Sequence, residues 1–229
     1  MVYFNKLTEK MESERMFLKE VCVENYTVVP SAIAKGATRV ELCDYLPSGG
    51  TTVSKGVMQE TVAYCSEHSI PLMVIIRPRS GNFVYNDTEL KIMGHDIIEA
   101  KNLGIDGIVV GCLTEENWID EDAMEQILEE AFGLQTTFHM AFDSIPKNRQ
   151  FEAIDWLVEH GIDRILTHGG IADYSIETTL PRLKELVDYA DDKIIILPGG
   201  GITDENAKHI VDFLGVNEVH GTKIVGELI

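Results

Sequence analysis

A chain of 229 residues, 45% of them hydrophobic, is long enough for one sizeable core, and α/β barrels of about 200–250 residues are commonly single domains. Nineteen Lys and Arg stand against 38 Asp and Glu, a formal net charge of −19, which excludes nucleic acid and anionic membrane surfaces as natural partners and makes any anion site a local one. No stretch approaches the roughly 18 apolar residues of a membrane span, and the opening MVYFNKLTEKMESER is charged where a signal peptide would be apolar, so the expected location is cytoplasmic.

Residues 1–15 are expected to form a lead-in, and 16–229 one domain. From Met16 onward short apolar runs alternate with amphipathic stretches. The strand candidates in chain order are FLKEVCV, TRVEL, IPLMVII, DGIVVG, LQTTFH, DRILTH, KIIILPGG and NEVHG, with helical patterns such as SKGVMQETVAYCSEH and NDTELKIMGHDIIEAKNLG between them. Gly36, Gly104, Gly161 and Gly215 stand where helices should stop, and Asn25, the Asn86–Asp87 pair and Thr203 where helices should start. About eight βα repeats predict a (β/α)₈ TIM barrel, with an open doubly wound sheet as the alternative. Only GTKIVGELI follows the last strand. The eighth helix is therefore expected to be short or missing, its place taken by a partner subunit, as in a homodimer, or by the lead-in.

In a parallel barrel one strand face meets the helices and the other fills the lumen, and both are normally apolar. Alternation along these strands makes the second face polar. It carries Glu20 and Cys22 on the first strand, Arg39, Glu41 and Cys43 on the second, and Met73, Ile75 and Arg77 on the third. The fifth adds Gln135, Thr137 and His139, and the eighth Glu218 and His220. Buried charges are costly unless paired, so the glutamates are expected to form a network with Arg39 and Arg77.

Cys22 and Cys43 fall at the C-terminal ends of strands expected to be neighbours, where barrels bind their ligands. Paired thiols favour Cu(I) or another thiophilic ion over Mg²⁺ or Ca²⁺, although a free cysteine is also a common small apolar core group. Four cysteines without a CxxC, in a chain too large to need staples, point to reduced thiols. Cys65 reads as core, and Cys112 as a residue near the mouth. In IIRPRSGNFVY, Pro78 stops the ladder and keeps Arg77 extended. Arg77 and Arg79 at a barrel mouth suit a carboxylate or phosphate. TTFHMAFD places His139 near Asp143 as an acid/base pair or an oriented ligand. ILTHGG adds Thr167 and His168, and LPGGGITDEN offers Gly199, Gly200 and Gly201 ahead of a helix, a common phosphate cradle and also an ordinary tight turn.

Taken in order, EVCV, RVELC, SGGTT, IIRPR with GNFVY, TFHMAFD, RILTHGG, PGGGI and EVHGT resemble the CutC copper homeostasis family over nearly the whole chain from Glu20. The resemblance implies a (β/α)₈ barrel, a cytoplasmic protein and Cu(I) bound by Cys22 and Cys43. The chain departs from the family pattern at Met140, usually arginine, and at His168, usually serine. These two offer an extra soft donor and an extra imidazole. Two functions follow. One is a cytosolic Cu(I)-binding protein with Glu20, Glu41 and Arg77 around the thiols. The other is an enzyme for a small anionic substrate, such as a phosphorylated one. In it Arg77, Arg79, Thr167, the glycine loop, Glu20 and His220 bind, and Glu41, His139 or Asp143 moves protons.

Overall fold

The computed structural model describes residues 16–171 and 173–228, so the expected 1–15 lead-in lies outside it. Eight strands follow the predicted rhythm: β1 Leu18–Glu24, β2 Arg39–Cys43, β3 Leu72–Ile75, β4 Gly107–Val110, β5 Gln135–Phe138, β6 Arg164–Thr167, β7 Ile195–Pro198 and β8 Glu218–Gly221. A helix follows each of the first seven: α1 Val29–Ala34, α2 Lys55–Glu67, α3 Asp87–Leu103, α4 Glu121–Glu130, α5 Gln150–Glu159, α6 Ile176–Ala190 and α7 Ala207–Leu214. Among the described residues none follows β8. The ladders are parallel in the order β7-β6-β5-β4-β3-β2-β1-β8. β8 adjoins β7 without a ladder, and a parallel bridge from Thr203 to Lys223 ties the two loops beyond them. This is the single-domain (β/α)₈ barrel that the alternation predicts.

The two faces of the strands separate into two cores. Val21, Val23, Val40, Leu42, Val74 and Ile108 pack outward against the helices in one continuous cluster, each contributing about 1.5–3 kcal/mol by leaving water. Cys22, Cys43, Met73, Ile75 and Val109 form a second, smaller cluster inside the lumen. That separation sends the sulfurs inward.

Helix boundaries show where local signals hold. Asn86 caps α3 with a full capping box to Glu89, and Gly104 ends it at φ +88°. The Asn25 side chain instead accepts from the adjacent Tyr26 N–H, and α1 starts without a side-chain cap. At Thr203 the relation is reversed, because Asn206 Oδ1 accepts from the Thr203 N–H at 2.8 Å. Ser54 and Asp120 are caps that the sequence reading did not single out; they accept from Val57 N and Ala123 N.

Candidate metal centre at the barrel mouth

Parallel pairing of β1 with β2 and β8 sets Glu20 beside Arg39 and His220, and Cys22 beside Glu41. All of these side chains are buried, so each charge must find its partner inside the lumen. Arg39 Nε bonds Glu20, and its Nη2 lies 2.6 Å from Glu218. Arg164, which the alternation argument did not select, reaches the same Glu218 at 3.1 Å and Gln135 at 2.7 Å. His220 Nδ1 sits 2.8 Å from Glu20 and 3.4 Å from Glu41. A polar chain thus runs from Gln135 through Arg164, Glu218, Arg39 and Glu20 to His220 at the mouth.

Burial works against every ion in this chain, and the partners decide which survive. Burial pushes Glu20 up, but the His220 hydrogen bond and the Arg39 guanidinium outweigh it and hold the carboxyl well below the usual range. Glu41 is raised, because burial exceeds what His220 gives back and the Glu20 charge adds to it. For His220 burial is the largest influence and acts downward, yet the two glutamates together raise it.

The sulfurs of Cys22 and Cys43 stand 3.8 Å apart. With metal–sulfur bonds of about 2.3 Å, two sulfurs on one ion span roughly 3.8 Å at a tetrahedral angle and 4.6 Å when opposed. The pair therefore matches a bent arrangement on one soft ion as it stands and has to open by about 0.8 Å for an opposed one. Cys43 donates to the Val23 carbonyl at 3.3 Å, and Leu46 packs over the cluster. Gly50, at φ +85°, closes over Cys43, where a Cβ would come within 3.2 Å of Cys43 Cβ. The Cys22 thiol is pushed well above its ordinary value by its hydrogen bond with Cys43, by burial and by the Glu41 charge. Neither arginine relieves it. Arg39 is spent on Glu20 and Glu218, and Arg77 donates to the carbonyls of Ser48, Gly50 and Gly81 at 2.8–2.9 Å. Arg77 thus clasps two loops, and Arg164 takes the place expected for it in the lumen network.

Above the cysteines opens a cavity of about 430 Å³ whose walls include Cys22, Glu41, Cys43 and His220. Arg77, His139, Gly200 and Gly201 also reach it, together with Leu46, Phe83 and Met140. His139 stays neutral, since burial and then the Arg77 charge pull it down to about 3. Its Nδ1 accepts from the Ala141 N–H at 3.2 Å, which leaves a proton on Nε2. That buried Nε2 has no hydrogen-bond partner among the described residues.

Several predicted residues lie elsewhere. Arg79 turns back onto Glu89, the Asn82 and Val84 carbonyls and the Tyr85 ring. No hydrogen bond joins Asp143 to His139. Asp143 instead accepts from Thr167 Oγ1 at 2.5 Å and from the His168 and Gly169 N–H groups at 2.9 and 3.2 Å. Burial raises its carboxyl against the pull of those donors. Both ring nitrogens of His168 meet backbone carbonyls, of Gly199 and Tyr174, so only Met140 of the two departures faces the cavity. Gly199 stands behind the wall, Glu20 behind His220, and Cys112 in the helix-side core. The loop residues Leu46 and Phe83 were missed, and no periodic signal marks them.

The model of the CutC family matches residues 17–225. The chain is 62% identical over 208 residues to a family protein CutC of Enterococcus faecalis, covering 91% of this chain and 100% of that one. It is 41% identical over 204 residues to the copper homeostasis protein cutC homolog of Mus musculus, covering 89% of this chain and 72% of that one. The crystal structure of a CutC protein from Streptococcus agalactiae superposes with a TM-score of 0.89 at 48% identity, over 91% of this chain and 100% of the other.

Proposed function

The chain belongs to the CutC family, and on that premise we propose that it is a cytosolic copper-homeostasis protein that binds Cu(I) between Cys22 and Cys43. The observation that carries the reading is the 3.8 Å separation of two buried sulfurs on neighbouring strands, both at the wall of an open cavity. Cu(I) is soft and prefers thiolates. Because the ion takes thiolate sulfur and the Cys22 thiol is held protonated by its Cys43 bond, burial and Glu41, binding releases protons to the cavity. Glu41 and the His220–Glu20 pair stand next to Cys22 and receive them, while Leu46 limits the access of water. Assembly into a homo-oligomer belongs to the same reading, and light scattering on the purified chain tests it.

Titrating the reduced chain with Cu(I) against a chromogenic chelator tests the site. One ion per chain is expected, with affinity lost in Cys22→Ser and Cys43→Ser. Unchanged affinity in the double variant would falsify the assignment.

The orphaned His139 Nε2–H beside the cavity favours a second reading, in which the mouth receives a small anion and the protein is an enzyme. That nitrogen is closed off from solvent, so a turn of the ring towards the cavity lets the carboxylate or phosphate oxygen of such a ligand supply the missing acceptor. Thermal-shift screening of small phosphorylated and carboxylated metabolites tests this, and no stabilisation by any of them counts against it.

A further inference from the structure

We propose that Cys22, Glu41 and His220 form a second metal site, for a divalent cation of the zinc class, which shares one sulfur with the Cu(I) pair. The three residues come from neighbouring strands β1, β2 and β8, all three are buried, and their ligand atoms lie within 4.8 Å of one another. A tetrahedral ion with bonds of about 2.0–2.3 Å spaces its donors about 3.3–3.8 Å apart. Small rotations of these side chains close the remaining gap.

Three features distinguish this set from the sulfur pair. The first is donor chemistry: one thiolate, one imidazole and one carboxylate suit a borderline cation, whereas two thiolates suit a soft monovalent one. The second is orientation. His220 directs Nδ1 at Glu20 at 2.8 Å, and no other hydrogen bond of its ring occurs among the described residues. That bond holds the ring beside Glu41, whose Oε2 lies 3.4 Å from the same Nδ1, and leaves Nε2 free to ligate, as in the carboxylate–histidine–metal arrangement that fixes a ring for coordination. Glu20 is itself anchored by Arg39. The third is charge. Cys22 and Glu41 as anions cancel a divalent ion, so the loaded centre is neutral. Cu(I) on two thiolates leaves one net negative charge beside Glu20 and Glu41. In a buried site the neutral assembly is favoured by desolvation.

Three protein donors leave a fourth position facing the cavity, the open arrangement in which zinc holds water or a ligand oxygen. The two metals exclude each other, because both need Cys22. The inference goes beyond the copper reading and stands or falls apart from it through Cys43.

The test is a crossed titration of the full chain, reduced and oxygen-free, with zinc chloride and with Cu(I). Glu41→Gln and His220→Gln are expected to weaken zinc binding by more than the ~10–100-fold that the loss of a mere outer partner costs, and to weaken Cu(I) binding by no more than that, since there they only receive protons. Cys43→Ser is expected to do the reverse. Cobalt(II) added to the unmodified chain should give a sulfur-to-metal charge-transfer band and the intense visible bands of a four-coordinate ion, a readout independent of how the variants fold. Zinc affinity unmoved by Glu41→Gln and His220→Gln overturns the proposal, as does equal loss in Cys43→Ser, or cobalt spectra without the sulfur band. Cu(I) binding unmoved in Cys43→Ser, with the zinc pattern intact, overturns only the copper pair.

Discussion

Replacing Arg39 with methionine keeps most of the aliphatic stem and deletes the cation that Glu20 and Glu218 share. Arg39 is 2% exposed and Glu20 1%, so water cannot reach the abandoned carboxylate. Deleting one partner of a buried pair costs about 3–5 kcal/mol. Glu218 keeps Arg164 and Glu20 keeps His220, which sets the expectation in the lower part of that range, about 3–4 kcal/mol. At about 2–4 °C per kcal/mol for a chain of this size, the melting midpoint falls by roughly 6–16 °C. The dependence on pH gives the sign. Burial raises Glu20, but His220 and Arg39 bring its folded-state value below the ordinary 4.5. Its contribution is therefore complete above that value and is lost as pH falls through the folded-state value. The deficit of Arg39→Met is greatest near neutrality and shrinks under acid. Urea midpoints at pH 7 and pH 4, with calorimetry, measure both. A deficit under about 1 kcal/mol at pH 7, or one that fails to shrink at pH 4, refutes the reasoning. Adding Glu20→Gln to Arg39→Met should recover part of the loss by removing the stranded charge.

Gly50→Ala forces a side chain into φ +85° with its Cβ 3.2 Å from Cys43 Cβ and 3.3 Å from Ile75 Cδ1; calorimetry should show a loss of at least about 1–2 kcal/mol. Asp143→Asn breaks the acceptor set for Thr167 Oγ1 and the His168 N–H. It is expected to lower stability by on the order of 2–3 kcal/mol while Cu(I) affinity stays unchanged, since Asp143 lies off the cavity. His139 is pulled from its ordinary 6.5 to about 3 by burial and by Arg77. Because its folded-state value is depressed, the protein loses up to about 1.4 kcal/mol per pH unit on acidification from 6.5 towards 3. His139→Gln should flatten that part of the stability–pH curve, and an unchanged slope rejects the assignment.

The barrel is legible in the chain because its signals repeat: apolar strands, amphipathic helices and glycines such as Gly104 and Gly215 recur with one period. The inward set is legible for the same reason. Alternation places Glu20, Cys22, Glu41, Cys43 and His220 on one face, and the structure brings them together. Pairing is harder to read. Arg164 sits at the start of its strand next to Asp163, where nothing local names its partner, and only the stagger of the barrel brings it to Glu218. Arg77 and Arg79 share a strand end, but beyond the ladder no period governs direction. Backbone carbonyls of the loops capture the first, and Glu89 with the loop's own carbonyls the second. The same loss of period hides Leu46 and Phe83, whose places at the mouth depend on how separate loops fold back. His139 and Asp143 are close in sequence but are parted by the 3₁₀ turn Met140–Ser144, which turns the carboxylate towards β6.

Each side chain from Gln135 to His220 satisfies its neighbour in the lumen, so replacing one alone leaves the next in deficit. Change there has to arrive in matched exchanges, charge for charge, across strands distant in sequence. The helix-facing positions tolerate single swaps among Val, Ile and Leu at modest cost. The barrel thus tolerates single replacements in its outer layer, whereas its inner column tolerates only compensated ones.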